Sequence, residues 1–178
     1  MKRITAIFLG LAMCAALVAC SNYRLAGTPV RLPFSSVYVM PVKNASYAPQ
    51  ASNLLTNEIS MAINQTPGLK TAYQGDAQAT LETRIIDYRR RPVATRADDT
   101  ALAASYAMEV TAECTLTRSN GDVVFKNRKV KAMAFLYPGE EGANGKTYDN
   151  TIGGEYQQMP VLMRELGGKI KDAVIGIW

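Results

Sequence analysis

Cys20 is the residue of this sequence whose neighbours indicate its chemistry most clearly. It ends the tetrapeptide Leu17-Val18-Ala19-Cys20, which matches the bacterial lipobox of a leucine, two small or aliphatic residues and a cysteine. A thiol at a membrane surface can take a diacylglyceryl group as a thioether, and cleavage before the cysteine frees its amine for a further acyl chain such as palmitate. Two or three such chains anchor a protein stably, because each buried methylene contributes about 0.8 kcal/mol. The sequence therefore predicts lipidation of Cys20.

The residues before Cys20 have the layout of a secretory signal. Met1, Lys2 and Arg3 form a positive start, and residues 4–19 carry no charge. This run is shorter than the roughly 20 apolar residues that a membrane-spanning helix needs. A plain signal peptide with an incidental cysteine is the main alternative, and the absence of an A-x-A cleavage site argues against it.

These features divide the chain into three parts. We predict a lipoprotein signal peptide at residues 1–19, a lipidated N-terminal tether at residues 20–33 and a single α/β domain at residues 34–178. Loss of the two signal-peptide cations leaves 18 basic against 15 acidic residues, so the formal net charge falls from +5 to +3. Ser21, in place of aspartate, favours export to the outer membrane in many Gram-negative bacteria. We therefore expect a lipid-anchored protein on the periplasmic side of that membrane.

The cysteine and histidine content limits the available chemistry. The sequence has three cysteines and no histidine, and removal of Cys14 with lipidation of Cys20 leaves Cys114 without a disulfide partner in its own chain. Without histidine, Ser-His and Cys-His nucleophile pairs and histidine-metal sites are excluded. Cys114 lies on the apolar face of a predicted strand. We therefore predict that its side chain is buried and acts as a small hydrophobic residue. We predict no enzyme activity, cofactor or metal, although composition alone leaves carboxylate or lysine catalysis open.

Basic residues form two groups that could bind an anionic ligand. One group is expected at a turn after the second long strand and the other along the last strand. A guanidinium fork suits phosphate because it donates two hydrogen bonds at once. The alternative is a solvated sheet edge that charge protects from aggregation. Nucleic acid does not suit an exported protein. The residues are Arg89, Arg90, Arg91, Arg96, Lys126, Arg128, Lys129 and Lys131.

Three elements in the first half of the domain are predicted to form a β-α-β unit. Residues 37–42 are apolar on both phases, which is typical of a buried strand, and Pro41 should mark its end. Apolar residues at helical spacing predict a helix over residues 51–64. A second strand is predicted at residues 77–88.

The second half predicts a hairpin and a closing helix. Strict alternation from Tyr106 to Thr117 indicates one buried and one solvated face, and Asn120-Gly121 indicates a type I′ turn. A regular hairpin would turn lysines toward the core, so we predict a β-bulge near Asn127 that pairs Ala112 with Val130, Val110 with Ala132, Met108 with Ala134 and Glu113 with Lys129.

A glycine-rich loop is predicted at residues 137–155, followed by an amphipathic helix with Pro160 near its start. Gly167 and Gly168 inside this helix indicate either close packing or a weak point. The fold class is therefore α+β, with a mixed sheet of about four strands in the order β-α-β-β-β-α and two helices packed on one face.

Together these features resemble the LptE family of lipopolysaccharide-assembly lipoproteins. The resemblance rests on the lipobox cysteine followed by Tyr23-Arg24-Leu25-Ala26-Gly27, on the strand that runs into Lys43-Asn44, and on the order of helix, three-strand meander and closing helix. The family commonly reads Cys-Gly-Tyr at its start, whereas this chain reads Cys20-Ser21-Asn22-Tyr23.

The resemblance implies a small α/β domain seated inside the LptD outer-membrane β-barrel. There it would act as plug and assembly partner for lipopolysaccharide export, with the Thr- and Glu-rich strand face toward the barrel wall and direct contact with the glycolipid. Contact of the eight basic residues with lipid A phosphates is assigned from charge and position. Two other functions stay open: an auxiliary lipoprotein of another envelope lipid transporter or secretion channel, and an envelope enzyme that uses carboxylates.

Overall fold

The computed structural model describes residues 32–97, 100, 102–141 and 147–176, all within a compact unit from Arg31 to Trp178. Cys20, the signal peptide and most of the tether lie outside the described residues. Lipidation, signal cleavage and the division into three parts therefore stay predictions.

The described residues form two helices, a six-stranded mixed sheet and a two-stranded hairpin. The helices are α1 (Ala51–Asn64) and α2 (Thr151–Ile175). The strands are β1 (Ser36–Val39), β2 (Lys43–Asn44), β3 (Lys70–Thr71), β4 (Ala79–Thr95), β5 (Ala103–Arg118), β6 (Val123–Leu136), β7 (Gly139–Glu141) and β8 (Thr147–Asp149). The main sheet has the order β3-β1-β4-β5-β6, with β2 also paired to β4, while β7 and β8 pair with each other.

The α+β class and the mixed sheet are confirmed, but the expected count of about four strands is too low. Strand β1 is parallel to β3 and β4, β2 is parallel to β4, and β4, β5 and β6 are antiparallel. The strand predicted at residues 37–42 ends at Val39, before Pro41, which cannot donate to a ladder, and β2 at Lys43–Asn44 is an additional short strand. Strand β3 has only two residues, which is too short to show a periodic pattern.

One face of the sheet is buried beneath both helices. Leu55, Ile59 and Ile63 on α1 are fully buried, as are Leu162 and Leu166 on α2. The sheet contributes alternate residues to the same core, including Leu81, Ile85, Met108, Val110, Ala112, Leu116, Val130, Ala132 and Leu136. The intervening residues of β4, β5 and β6 are mostly exposed or half-buried. Neither described helix combines the length and the apolar character of a membrane-crossing helix.

The predicted register of the β5–β6 hairpin is confirmed. Val130 pairs with Ala112, Ala132 with Val110, Ala134 with Met108 and Lys129 with Glu113. The register shifts between the Cys114–Arg128 and Leu116–Phe125 pairs, and the backbone of Asn127 has a positive φ of 53°. The bulge lies where it was predicted, because without it the lysines of β6 would face the core.

The turn that joins β5 to β6 is not the predicted type I′ turn. A type I′ turn needs positive φ at both central residues, but φ is positive at Gly121 (90°) and not at Asn120. The Gly121 N–H donates to the Arg118 carbonyl at 2.9 Å, and the Arg118 N–H donates to the Asp122 carbonyl at 2.8 Å. This is a three-residue loop with glycine in the left-handed region. The Asn120 side chain stabilises it by accepting a hydrogen bond from the Asp122 N–H at 3.1 Å.

Strand β4 is longer than predicted and contains the three consecutive arginines that were expected at a turn. Pairing with β5 continues through Arg90–Met108 and Pro92–Tyr106 to Thr95–Ala103, with register shifts on either side of Ala94. These shifts accommodate a proline, which has no N–H to donate. Tertiary pairing with β5 therefore overrides the local turn signals.

Helix α2 also begins earlier than predicted, within the segment assigned to a loop. Asn150 is its N-cap, and the Asn150 side chain accepts a hydrogen bond from the Gly153 N–H at 3.0 Å. Pro160 consequently lies inside the helix and not near its start. The rest of the predicted loop contains the β7–β8 hairpin.

Candidate functional site

The candidate site is the open face, which we define as the face of β4, β5 and β6 opposite the two helices. Its residues follow from the strand register. In one row across the sheet Arg84 pairs with Glu113, which pairs with Lys129; in the next, Asp87 pairs with Thr111, which pairs with Lys131. A register shift between Ile85 and Asp87 brings the odd-numbered residues of β4 onto this face. The open-face residues are Arg84, Asp87, Arg89, Arg91, Glu109, Thr111, Glu113, Lys129, Lys131, Met133 and Phe135.

Most cations of the open face are paired with carboxylates at its surface. Arg89 Nε lies 2.8 Å from Asp87 Oδ2, Arg91 Nη2 lies 2.7 Å from Glu109 Oε1, and Lys129 Nζ lies 3.9 Å from a Glu113 oxygen. Exposed pairs of this kind contribute only about 0–1 kcal/mol. They therefore orient the guanidinium and ammonium groups without preventing exchange for another anion.

Lys131 lies at a surface cavity of about 360 Å³. Asp87, Arg89, Glu109 and Lys169 also line this cavity, so it is rich in both signs of charge. Within the described part of the chain, Lys131 has no carboxylate partner. The same holds for Arg84, but Arg84 does not line this cavity, so Lys131 is the open-face cation best placed to accept a new anionic ligand.

Arg90 lies on the opposite side of β4 from Arg89 and Arg91. Its Nη1 donates to Glu155 Oε2 at 2.7 Å, and its guanidinium lies 5.4 Å from the centre of the Tyr106 ring. The Tyr88 hydroxyl donates to the other oxygen of Glu155 at 2.5 Å. Burial, and then the Glu155 carboxylate, raises the pKa of Tyr88 far above its ordinary value. Arg90 therefore links β4 to the start of α2 through its ion pair with Glu155, and it does not contribute to the open face.

Three further predicted basic residues are also separate from the paired cations. Arg128 lies at the bulge, with its guanidinium 5.8 Å from the Phe125 ring and its Nη1 donating to the Ala173 carbonyl at 3.3 Å. Arg96 follows the end of β4, and its backbone N–H donates to the Leu102 carbonyl. Lys126 is exposed beside Asn127 in the bulge. Of the eight predicted cations, the open face brings together Arg89, Arg91, Lys129 and Lys131.

The sequence reasoning missed Arg84 and two apolar residues of this site. Met133 is 41% exposed and Phe135 is 46% exposed, and both follow Lys131 on the same face of β6. The alternation along residues 129–135 carries this signal, because odd positions share one face of the strand. Cations next to exposed apolar side chains suit an amphipathic anion. The anionic group of such a ligand can contact the cations while its apolar part contacts the apolar side chains.

Cys114 is fully buried, as predicted, and is not a nucleophile. Thr83 Oγ1 donates to its Sγ at 3.7 Å, and burial raises the pKa of the Cys114 thiol to about 11, although the hydrogen bond from Thr83 acts in the opposite direction. A thiol of this kind is almost entirely protonated at neutral pH.

Burial of this thiol predicts a loss of stability at alkaline pH. Above pH 9 the unfolded chain releases the Cys114 proton while the folded chain retains it up to about pH 11, so the free energy of unfolding falls as pH rises. The stability advantage of the wild type over Cys114→Ala should shrink by about 2 kcal/mol between pH 8 and pH 10.5 in urea titrations. Both proteins contain the same other ionisable groups, so the contribution of those groups to the difference cancels. A difference that is constant with pH would contradict the prediction.

These features define a small α+β domain whose sheet is covered by helices on one face and carries paired charges on the other. The sequence model described as LptE, lipopolysaccharide-assembly, matches residues 34–171. The chain therefore belongs to the LptE family, which confirms the resemblance noted in its sequence. This is a family of non-enzymatic lipopolysaccharide-assembly lipoproteins, so the protein is a lipoprotein of the cell envelope.

Solved structures with TM-scores of 0.50 or above share the fold at low sequence identity. A Xanthomonas campestris protein of the DUF330 family is 10% identical, with 88% of this chain and 93% of that chain covered at a TM-score of 0.56. A hypothetical protein from Chlamydia trachomatis is 13% identical, with 80% and 99% covered at a TM-score of 0.50. The uncharacterized lipoprotein B from Nitrosomonas europaea is 11% identical, with 86% and 88% covered at a TM-score of 0.49. No curated protein matches the chain.

Proposed function

We propose that this protein is the plug and assembly partner of an LptD β-barrel in lipopolysaccharide transport to the cell surface. The observation that carries the proposal is the family match over residues 34–171, which spans nearly the whole folded domain. Acyl chains on Cys20 hold the domain at the periplasmic side of the outer membrane, and the domain enters the barrel from there.

The open face supports this role because its chemistry suits a polar barrel lumen. The interior of an outer-membrane barrel is polar, and a plug must replace the water there with hydrogen bonds. Strand β5 presents Thr111, Glu113 and Thr115 on this side of the sheet, with Glu113 between Arg84 and Lys129 and with Thr111 beside Lys131. In the proposed complex these hydroxyl and carboxylate groups contact the lumen wall.

Affinity purification of the mature lipoprotein from outer membranes tests the proposal. We expect co-purification of one large β-barrel subunit. Thr111→Trp on the open face should reduce its recovery, whereas Asn53→Trp on the exposed side of α1 should not. Recovery of a different envelope lipid transporter or secretion channel would support the alternative function, and recovery of no membrane partner would contradict both.

Lipopolysaccharide is the proposed ligand of the open-face cations, with Met133 and Phe135 beside its acyl chains. Charge-assisted hydrogen bonds to phosphate contribute about 1.5–3 kcal/mol each. The double variant Lys129→Glu/Lys131→Glu should therefore weaken lipopolysaccharide binding by the mature lipoprotein in detergent by at least about tenfold.

The control carries the same change in charge at a distance from the open face. Lys70→Glu/Lys171→Glu alters an exposed residue of β3 and a half-buried residue of α2. It should leave the affinity for lipopolysaccharide within about twofold of wild type. Loss of even a single charge-assisted hydrogen bond would weaken binding by more than that. Equal weakening by both double variants, or equal binding of dephosphorylated lipopolysaccharide by the wild type, would exclude phosphate recognition at this face.

A further inference from the structure

The main sheet ends in the strands β3 and β6, and these two differ in how many of their outer backbone groups are accessible. Strand β3 has only two residues, and the Thr71 N–H at its outer side donates to Asn64 Oδ1 at 2.8 Å. Strand β6 has 14 residues and, among the described residues, pairs only with β5. An edge strand presents a row of backbone N–H and C=O groups to any chain that can pair with them. Residues 87–95 of β4 also have β5 as their single strand partner among the described residues, but Pro92 and the register shifts on either side of Ala94 interrupt that edge. The regular accessible edge of this sheet is therefore β6.

The second part of β6 is regular enough to accept another strand. Its register with β5 is unbroken from the Cys114–Arg128 pair to the Tyr106–Leu136 pair, since the bulge at Asn127 lies before this segment. Alternate residues of 128–136 consequently direct their backbone groups away from β5 at the regular spacing of a ladder. Bulges and edge lysines both oppose strand addition, and here the bulge leaves nine regular residues beyond it, so that the charge of Lys129 and Lys131 is the remaining protection.

The side chains of this segment specify what kind of strand fits. Strand β6 contains four basic residues and no acidic one, so pairing with a second copy would bring two runs of cations into one interface. On the open face the order along the strand is Lys129, Lys131, Met133 and Phe135. Side chains directly opposite each other in an antiparallel pair interact, so the complementary strand reads apolar, apolar, acidic, acidic at alternate positions.

We propose that residues 128–136 of β6 bind an extended acidic segment of a partner protein as an added antiparallel strand. Carboxylates of the segment lie opposite Lys129 and Lys131, and its apolar side chains lie opposite Met133 and Phe135. Backbone hydrogen bonds supply affinity, and the side-chain order sets register and direction. This interaction goes beyond the proposed function and does not require lipopolysaccharide.

A designed peptide tests the proposal on the mature lipoprotein in detergent. The probe Thr-Val-Thr-Val-Thr-Glu-Thr-Glu-Thr carries the complementary order, and the same residues in reverse order give a control of identical composition and charge. We expect the first peptide to bind at least about tenfold more tightly and to shift the backbone amide resonances of residues 128–136. Equal binding of the two peptides, or binding of neither, would overturn the proposal.

Backbone methylation separates strand addition from simple charge attraction. Only one alternate set of peptide N–H groups faces β6, so N-methylation of that set should abolish binding while N-methylation of the other set is tolerated. The Lys129→Glu/Lys131→Glu variant should in turn prefer a peptide with lysine in place of glutamate. Equal effects of the two methylation patterns would show attraction without pairing and would refute the added strand.

Discussion

Replacement of Cys20 by alanine is expected to abolish lipid attachment to this protein completely. The thioether forms on the thiol of the lipobox cysteine, and no other side chain at this position supplies that sulfur. Two or three acyl chains hold a protein stably in a membrane because each buried methylene contributes about 0.8 kcal/mol, whereas a single chain anchors only marginally. Incorporation of labelled palmitate and the intact mass of the purified protein measure the effect directly.

The two remaining cysteines provide matched controls for this experiment. Cys14 lies within the predicted signal peptide, and Cys114 is fully buried with a raised pKa. Cys14→Ala and Cys114→Ala should therefore retain the full acyl mass on a chain that begins at residue 20. Palmitate on the Cys20→Ala variant, or an unmodified Cys20 thiol in the wild type, would refute the lipobox assignment and the membrane location inferred from it.

The β5–β6 hairpin shows which parts of the fold the sequence predicts well. One face of β5 is buried and the other is solvated, so burial imposes the alternation that is visible from Tyr106 to Thr117. The bulge at Asn127 was predictable for a related reason. A register that turns lysines into a core is too costly, and one extra residue is the smallest change that avoids it.

The length of β4 was not predictable from its own residues. Three arginines and Pro92 favour a turn locally, and the strand exists because β5 pairs with it from Arg118 to Ala103. The distribution of the arginines depends on the same pairing. A single register shift after Ile85 sends Arg90 to the helix side, where its partner Glu155 is 65 residues away in the sequence. Contacts between residues so far apart in the sequence produce no periodic pattern from which they could be predicted.

The sequence therefore predicted that the candidate site is basic, but it did not predict which residues form the site. Grouping basic residues by position found Arg89, Arg91, Lys129 and Lys131, yet it also included Arg90 and Arg128, which contact α2. It omitted Met133 and Phe135 because apolar residues on a strand are usually assigned to a core. The face of a residue, and not its charge alone, decides whether it can contact a ligand.

The two glycines within α2 have different environments. A Cβ atom at Gly167 would lie 3.0 Å from Glu58 Cβ, 3.1 Å from the Glu58 carbonyl carbon and 3.2 Å from the Ile59 nitrogen. A Cβ atom at Gly168 would meet no atom within 4 Å. The sequence left close packing and a weak point as alternatives, and the structure assigns close packing to Gly167. It is there that α2 crosses the backbone of α1.

Gly167→Leu is accordingly expected to lower the free energy of unfolding by about 2 kcal/mol, while Gly168→Leu raises it by about 0.5–1 kcal/mol. Both changes replace a poor helix former in the same turn, so their propensity gains are equal and the difference between the variants isolates the contact with α1. Because two of the three nearest atoms at Gly167 belong to backbone, the clash cannot be relieved by a side-chain rotation and must displace a helix. Chemical denaturation of both variants measures the difference. Equal stabilities of the two variants would contradict the prediction, because they would mean that α1 and α2 move apart at little cost in free energy.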